Sequence, residues 1–368
     1  MTVRHFQMDN ALLAAEKLQQ GTIDRRQFLA ALAAAGAVVV SGAKLGYAAS
    51  DEIVICNWGG AAVEKMTQAF VVPFTKATGI KAVVVGEGPD TGKIRAMVEA
   101  KNVTWDCCDT GIADSKSLGN KGYLEPMDYS VVDAKKVPPG DNAAKYGIAN
   151  YFFSNVLAYD TTKVSRPPTS WADFYNTKDF PGKRTMCKWV GAQLEPALFA
   201  DGVTADKMYP LDVDRAFKKI KSILPDLVFW ESGAQSQQYF RDSEVVMGNI
   251  WNTRANLLRT ETKGRVDWIW NQGVLQPSAW IVPKGNPAGA KVFKFIASSQ
   301  DPAQQVELLK LLGNGPANPA ADALLDDALR KISPTFSKNM EQQLALNTDW
   351  YGEHEADTQN KFLDLIAS

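Results

Sequence analysis

The side chains that could do chemistry are unevenly supplied. Histidine occurs only at His5 and His354. It is the commonest metal ligand and the residue best suited to acid–base work near neutral pH, so its scarcity speaks against a histidine-built metal centre and against a Ser-His-Asp triad. The four cysteines, Cys56, Cys107, Cys108 and Cys187, show no Cys-x-x-Cys spacing, which argues against a structural zinc site. A cysteine nucleophile needs a base or a lowered pKa, and His354 is the one histidine beyond the first fifty residues. Tryptophan is the abundant resource: all ten lie beyond residue 49. An aromatic face attracts a cation by about 0.5–2 kcal/mol, and many of the ten belong to the core while some line a pocket. No catalytic residue, no cofactor and no metal ligand is expected.

The elements that must position such a pocket alternate. Residues 53–56, Ile-Val-Ile-Cys, form a short apolar run of the buried-strand type that breaks at Asn57-Trp58-Gly59-Gly60. Val63, Met66, Phe70 and Phe74 follow at helical spacing, with a kink expected at Pro73. Ile80–Val85 is strand-like, Gly92–Ala100 helical, and Trp105–Asp109 a third strand. This is the start of an open parallel sheet, in which ligands bind beyond the carboxyl ends of the strands. Asn57–Gly60 and Asp109-Thr110-Gly111 are thereby singled out. An apolar run, Tyr151–Tyr159, precedes Ser170, read as a helix cap before Trp171. The theme then repeats, with a helix at Val213–Leu224 and strands at Leu227–Trp230, Val245–Trp251 and Ala279–Pro283. Helices are expected at Ala288–Ala297 and Pro302–Leu312, the latter capped by Asp301, and the last fifty residues read as helical.

The N-terminal segment reads as an export address. Arg25-Arg26 precede an apolar stretch, Phe28–Val40, that is too short to span a bilayer. Lys44 and Gly46-Tyr47-Ala48-Ala49 follow, as in a removable signal, and the paired arginines point to the twin-arginine exporter of bacteria. Residues 1–48 are therefore expected to be the leader, with cleavage after Ala48, and the remainder to be periplasmic. The leader takes five basic and three acidic residues, which leaves 35 basic and 38 acidic groups of the 40 and 41 in the chain. That near-balance gives no support to nucleic-acid binding. No second long apolar run exists to anchor the rest in a membrane.

Eight motifs in order carry a resemblance to the spermidine/putrescine-binding family of periplasmic receptors for ABC importers. They are I-C-N-W-G-G (55–60), F-x-x-x-T-G-I-K (74–81), W-D-C-C-D-T-G (105–111), G-Y-L-E-P-M-D (122–128), P-P-T-S-W-A-D-F (167–174), V-V-M-G-N-I-W-N (245–252), S-A-W-I-V-P-K-G (278–285) and G-N-G-P-A-N-P-A-A (313–321). The resemblance implies an α/β, type II periplasmic-binding-protein-like fold. Its two lobes are each a mixed sheet flanked by helices, joined by crossing strands, with the ligand in the cleft between them. It assigns 49–150 plus 272–315 to the first lobe and 151–271 plus 316–368 to the second, with hinge strands near 150–155 and 268–272. It also implies a monomer that delivers a small organic solute to an ABC permease with a cytoplasmic ATPase.

The resemblance also nominates residues. Trp58, with Gly59 and Gly60, matches the aromatic loop after the first strand, and Trp251 the aromatic that ends a second-lobe strand. Where the family carries an acid three positions later, this chain has Arg254. Where two second-lobe carboxylates are usual, it has Lys188-Trp189-Val190-Gly191-Ala192, with Glu195 a turn away. An arginine facing a closed cleft suits a carboxylate, which its planar fork binds bidentately. Glu231 and Asp109 remain as acceptors for an amine. The ligand set expected is Trp58, Gly59, Gly60, Asp109, Thr110, Trp189, Glu231, Trp251 and Arg254, enclosing an amino-acid-like or carboxylate-bearing solute. The alternative is a true spermidine/putrescine receptor. A ferric-ion receptor, which would want clustered tyrosines, and a cysteine-dependent enzyme on the same fold are weaker readings. If the first and third strands are neighbours, Cys56 lies near Cys107 or Cys108, and whether it pairs with either stays open.

Overall fold

The computed structural model describes residues 52–367, and the export-signal reading of residues 1–48 lies outside them. The apolar runs become strands: β1 Glu52–Cys56, β2 Lys81–Val85, β3 Cys107–Gly111, β4 Ala143–Ala144, β5 Gly147–Asp160, β6 Lys183–Cys187, β7 Leu227–Trp230, β8 Val245–Trp251, β9 Val266–Ile281, β10 Gly315–Pro316 and β11 Leu344–Ala345. Their order in the sheet is β2-β1-β3-β9-β5-β8-β6-β7. β1 is parallel to β2 and β3 on one side, and β6 is parallel to β7 and β8 on the other. The long antiparallel pair β5 and β9 runs through both halves, from Ile148 opposite Trp280 to Asp160 opposite Val266. These are the crossing strands of a two-lobed fold. The core is correspondingly divided. Phe70, Phe74, Trp280 and Phe295 fill the first lobe, while Trp171, Phe174, Met186, Tyr351 and Phe362 fill the second.

Several local expectations are revised. β9 is far longer than Ala279–Pro283 and takes in the hinge strand expected near 268–272, with Trp270–Gly273 looping out of its register. The register steps from Asn155 opposite Val274 to Leu157 opposite Ile269, and Gln272 takes a φ of 61°. The helix after β1 is interrupted at Thr67–Val71, where a π-helical turn precedes Pro73. Ser170 does not cap with its side chain. Instead Asp173 reaches back to the Thr169 N–H at 2.7 Å and is held by Arg166. Asp301 does cap as expected, accepting from the Ala303 and Gln304 amides ahead of Pro302–Leu312.

Residues 316–368 are neither uniformly helical nor confined to the second lobe. Ala321, Leu325 and Leu329 pack on Val306 and Leu309 of Pro302–Leu312. The helix Thr348–Ala367 buries Trp350, Tyr351 and Phe362 in the second-lobe core. Prolines at 319 and 334 and the short strand β11 break the helical run between them.

Candidate functional site

The loops that follow β1, β6, β7 and β8 converge at the junction of the lobes. Asn57–Gly60 turns sharply after β1. Gly59 has a φ of 77°, and a Cβ there would stand 2.7 Å from the Gly86 carbonyl oxygen, so only glycine fits. The turn delivers Trp58 to the second lobe, where its ring centroid lies 5.6 Å from that of Trp189 and 6.2 Å from that of Trp251. Trp230, wholly buried, backs both, with centroids 6.4 Å from Trp189 and 5.0 Å from Trp251. Its indole N–H donates to the Asn249 carbonyl at 3.0 Å. The Trp189 loop is tied to the C-terminal helix, because the Val190 N–H donates to Gln359 Oε1 at 2.7 Å and Gln359 Nε2 donates to the Lys188 carbonyl at 3.0 Å. The aromatic frame expected from Trp58, Trp189 and Trp251 is thus assembled, and Trp230 is the member that sequence reasoning took only as a strand end.

Arg254 sits in the first turn of the helix Asn252–Glu261. Asn252 pins that turn, accepting from the Ser154 N–H on β5 and donating to the Gly313 carbonyl. The arginine is 3% exposed. Its Nη2 makes one long contact, 3.5 Å, to the Gly59 carbonyl across the cleft, while Nε and Nη1 have no hydrogen-bond partner among the described residues. Gly233 leaves room for it: a Cβ there would stand 2.2 Å from Arg254 Nε. The guanidinium also faces the Trp251 ring at 5.9 Å. Burial pulls its pKa down to about 10, so it stays charged at neutral pH. A cation at the start of a helix opposes the helix dipole. Beside it begins a second helix, Gly233–Arg241, whose amino-terminal end also favours an anion. The guanidinium and the two helix starts together make a region of positive potential.

The two acids expected to receive an amine are placed differently. Asp109 is wholly buried and saturated. It accepts from Asn57 Nδ2 at 2.7 Å, Asn150 Nδ2 at 3.1 Å, the Tyr151 hydroxyl at 2.8 Å and Ser278 Oγ at 2.6 Å. Burial raises its pKa and the four donors oppose the rise. This carboxylate ties β1, β3, β5 and β9 together at the site's floor instead of presenting itself to a solute. Thr110, next to it, is also buried, and its hydroxyl turns to the Gly111 carbonyl at 3.3 Å. Glu231 points to solvent, with its side chain 61% exposed and paired with Lys188 at 2.5 Å. Glu195 is wholly buried and accepts from the Tyr209 and Tyr351 hydroxyls. Cys56 lies opposite Cys108 in the β1–β3 register, and all four cysteines are free thiols. Burial raises the pKa of each of the four, which is unfavourable for a nucleophile.

Comparison with known proteins shows the family and the fold. Residues 69–341 match the family described as bacterial extracellular solute-binding protein. A gamma-aminobutyric acid-binding protein from Pseudomonas aeruginosa is 32% identical over 321 residues, covering 86% of this chain and 91% of that protein. Among solved structures, the Atu4243–GABA receptor is 35% identical with a TM-score of 0.78, over 86% of this chain and 98% of its own. A binding protein from A. tumefaciens R10 in complex with agropinic acid is 30% identical with a TM-score of 0.80, over 86% and 99%. A spermidine/putrescine transporter binding protein from Streptococcus pneumoniae is 17% identical with a TM-score of 0.65, over 86% and 100%, a likeness of fold alone.

Proposed function

Because the chain belongs to the family of bacterial extracellular solute-binding proteins, we propose that it is the periplasmic receptor of an ABC importer for an amino-acid-like solute. In this reading Arg254 takes the solute's carboxylate and Trp58, Trp189 and Trp251 enclose its carbon chain. One observation carries the reading: Arg254 is almost wholly buried, charged, and without a partner on Nε and Nη1. A buried charge costs several kcal/mol unless it is paired, and a carboxylate on one edge of the guanidinium, across Nε and Nη2 or across Nη1 and Nη2, supplies the missing counter-ion. The gamma-aminobutyric acid-binding relative supports the solute class.

Export by the Arg25-Arg26 signal and hand-over to a permease and its ATPase complete the proposal, with the receptor acting as a monomer. No helix among the described residues is long and apolar enough to cross a membrane. The spermidine/putrescine reading stands as the alternative, and a buried unpaired arginine weighs against it because a polyamine would bring only more positive charge.

Calorimetric titration with γ-aminobutyrate, putrescine and spermidine tests the proposal. The wild type should bind γ-aminobutyrate and neither polyamine. Arg254→Ala should weaken binding by about 2–5 kcal/mol, or roughly 30- to 4,000-fold. Tight polyamine binding that tolerates Arg254→Ala would return the chain to the polyamine reading.

A further inference from the structure

Arg254 can read a carboxylate only if its guanidinium is held in one place, and hydrogen bonds do not hold it there. Among the described residues they amount to the single contact of 3.5 Å to the Gly59 carbonyl. What fixes the group is the space it fills. The helix Gly233–Arg241 opens with a buried glycine. A Cβ on Gly233 would stand 2.2 Å from Nε, 2.8 Å from Cζ and 2.9 Å from Nη2 of Arg254. The guanidinium therefore occupies the volume that any other side chain at 233 would need. Non-bonded carbon atoms pack at about 3.5–4.0 Å, so an alanine methyl would drive the arginine back by about 1 Å or more.

The local backbone gives no other reason for a glycine here. Gly59 and Gly60 take positive φ, and Gly233 does not. Its turn is an ordinary helix start. Ser232 caps it, with Oγ accepting from the Gln235 N–H at 3.2 Å, and Ser236 Oγ donates to the Gly233 carbonyl at 2.8 Å. Alanine is the better helix former and gives up less conformational freedom on folding. The helix would be served by alanine, and it is the arginine that needs the gap.

The gap is closed from the first lobe. A Cβ on Gly60 would lie 3.8 Å from the Ala234 Cβ, so the Gly59-Gly60 turn packs against Gly233-Ala234. Gly59 also supplies the carbonyl that faces Nη2, and the Trp251 ring flanks the guanidinium at 5.9 Å. Two glycine-bearing turns, one from each lobe, thus confine the charged group between them.

We propose that Gly233 is the positioning residue of the carboxylate anchor: its missing side chain sets where the Arg254 guanidinium stands, and affinity for a carboxylate-bearing solute depends on it. The inference rests on the reading of Arg254 as that anchor. Binding groups must be held within about 0.5 Å of their productive geometry, and the displacement that an alanine imposes exceeds this. Alanine also keeps the backbone N–H at the helix start, so Gly233→Ala changes only the space beside Arg254.

Calorimetric titration with γ-aminobutyrate and urea denaturation of the wild type, Gly233→Ala, Arg254→Ala and the double variant test the proposal. Gly233→Ala should weaken γ-aminobutyrate by about 30-fold or more. With the arginine removed, the added methyl meets no guanidinium. The urea midpoint of the double variant should therefore equal or exceed that of Arg254→Ala. Binding by Gly233→Ala within about threefold of the wild type would overturn the positioning role, while a loss in Arg254→Ala would leave the anchor standing. If Gly233→Ala does not fold, the double variant decides. Folding regained without the arginine supports the proposal. A double variant that is unfolded, or less stable than Arg254→Ala, would show that the fold itself requires the glycine and would overturn it. Wild-type protein that ignores γ-aminobutyrate, or Arg254→Ala that binds it unchanged, would sink the anchor and the positioning role together.

Discussion

Asp109 and Arg254 are both ions withdrawn from water at the same cleft, one closing β3 and the other opening the helix Asn252–Glu261, and they are held in opposite ways. Asp109 meets four donors drawn from three other strands or their ends. Arg254 meets one distant carbonyl and the face of a tryptophan. A saturated buried ion is scaffold, since its desolvation is offset within the fold. An unsaturated one has its desolvation penalty left over, and a complementary solute can recover it. The contrast separates the residues that build the cleft from the residue that reads its contents.

Stability measurements can break this contrast. The largest effect is expected at Asp109. Asp109→Ala would leave the donors of Asn150 and Tyr151 buried without an acceptor, each worth about 1–3 kcal/mol, while Ser278 Oγ keeps the Thr110 carbonyl and Asn57 Nδ2 only the sulfur of Met66. A loss of about 2–6 kcal/mol should appear in urea denaturation of the ligand-free protein. Arg254→Met should act with the opposite sign. Removing an uncompensated buried charge should stabilise the ligand-free protein by about 1–3 kcal/mol, and the same variant should lose its solute. Destabilisation by Arg254→Met would mean that the arginine is scaffold after all.

A smaller effect sharpens the comparison at Glu355. Glu355 binds its proton more tightly in the fold than in the unfolded chain, since its pKa rises to about 8 from the ordinary 4.5. Between these values the native state holds more protons than the unfolded one, so stability should fall as pH rises through the window. Denaturation midpoints of the ligand-free protein at pH 5, 6.5 and 8 should show this decline. Glu355→Gln should flatten it. A slope identical in the two proteins would remove Glu355 from the set of strained groups.

Much of the scaffold was legible because its signals are local. β7 and β8 match the runs Leu227–Trp230 and Val245–Trp251 residue for residue, since each is a short apolar stretch with polar or glycine boundaries. Trp58, Trp251 and Arg254 were nominated by the family resemblance, Trp58 also by the loop after the first strand, and the structure brings them together. What stayed hidden depends on distant partners. Nothing near Asp109 announces that Asn150, Tyr151 and Ser278 will close around it. Glu355 is an ordinary helical acid until two helices far apart in the chain are packed together. Glu231 looked like an acceptor at a strand end, but the side chain turns out to Lys188. β9 was read as two separate strands, near 268–272 and at Ala279–Pro283, and the structure joins them into one.

The central claim is that the unpartnered guanidinium of Arg254 is a carboxylate anchor, and a crystal structure with γ-aminobutyrate tests it most directly. The account predicts the solute's two carboxylate oxygens about 2.7–2.9 Å from two nitrogens on one edge of the Arg254 guanidinium, Nε with Nη2 or Nη1 with Nη2, with its methylene chain against Trp58, Trp189 and Trp251. A solute whose carboxylate lies elsewhere, with Nε and Nη1 of Arg254 still without an acceptor, would contradict it.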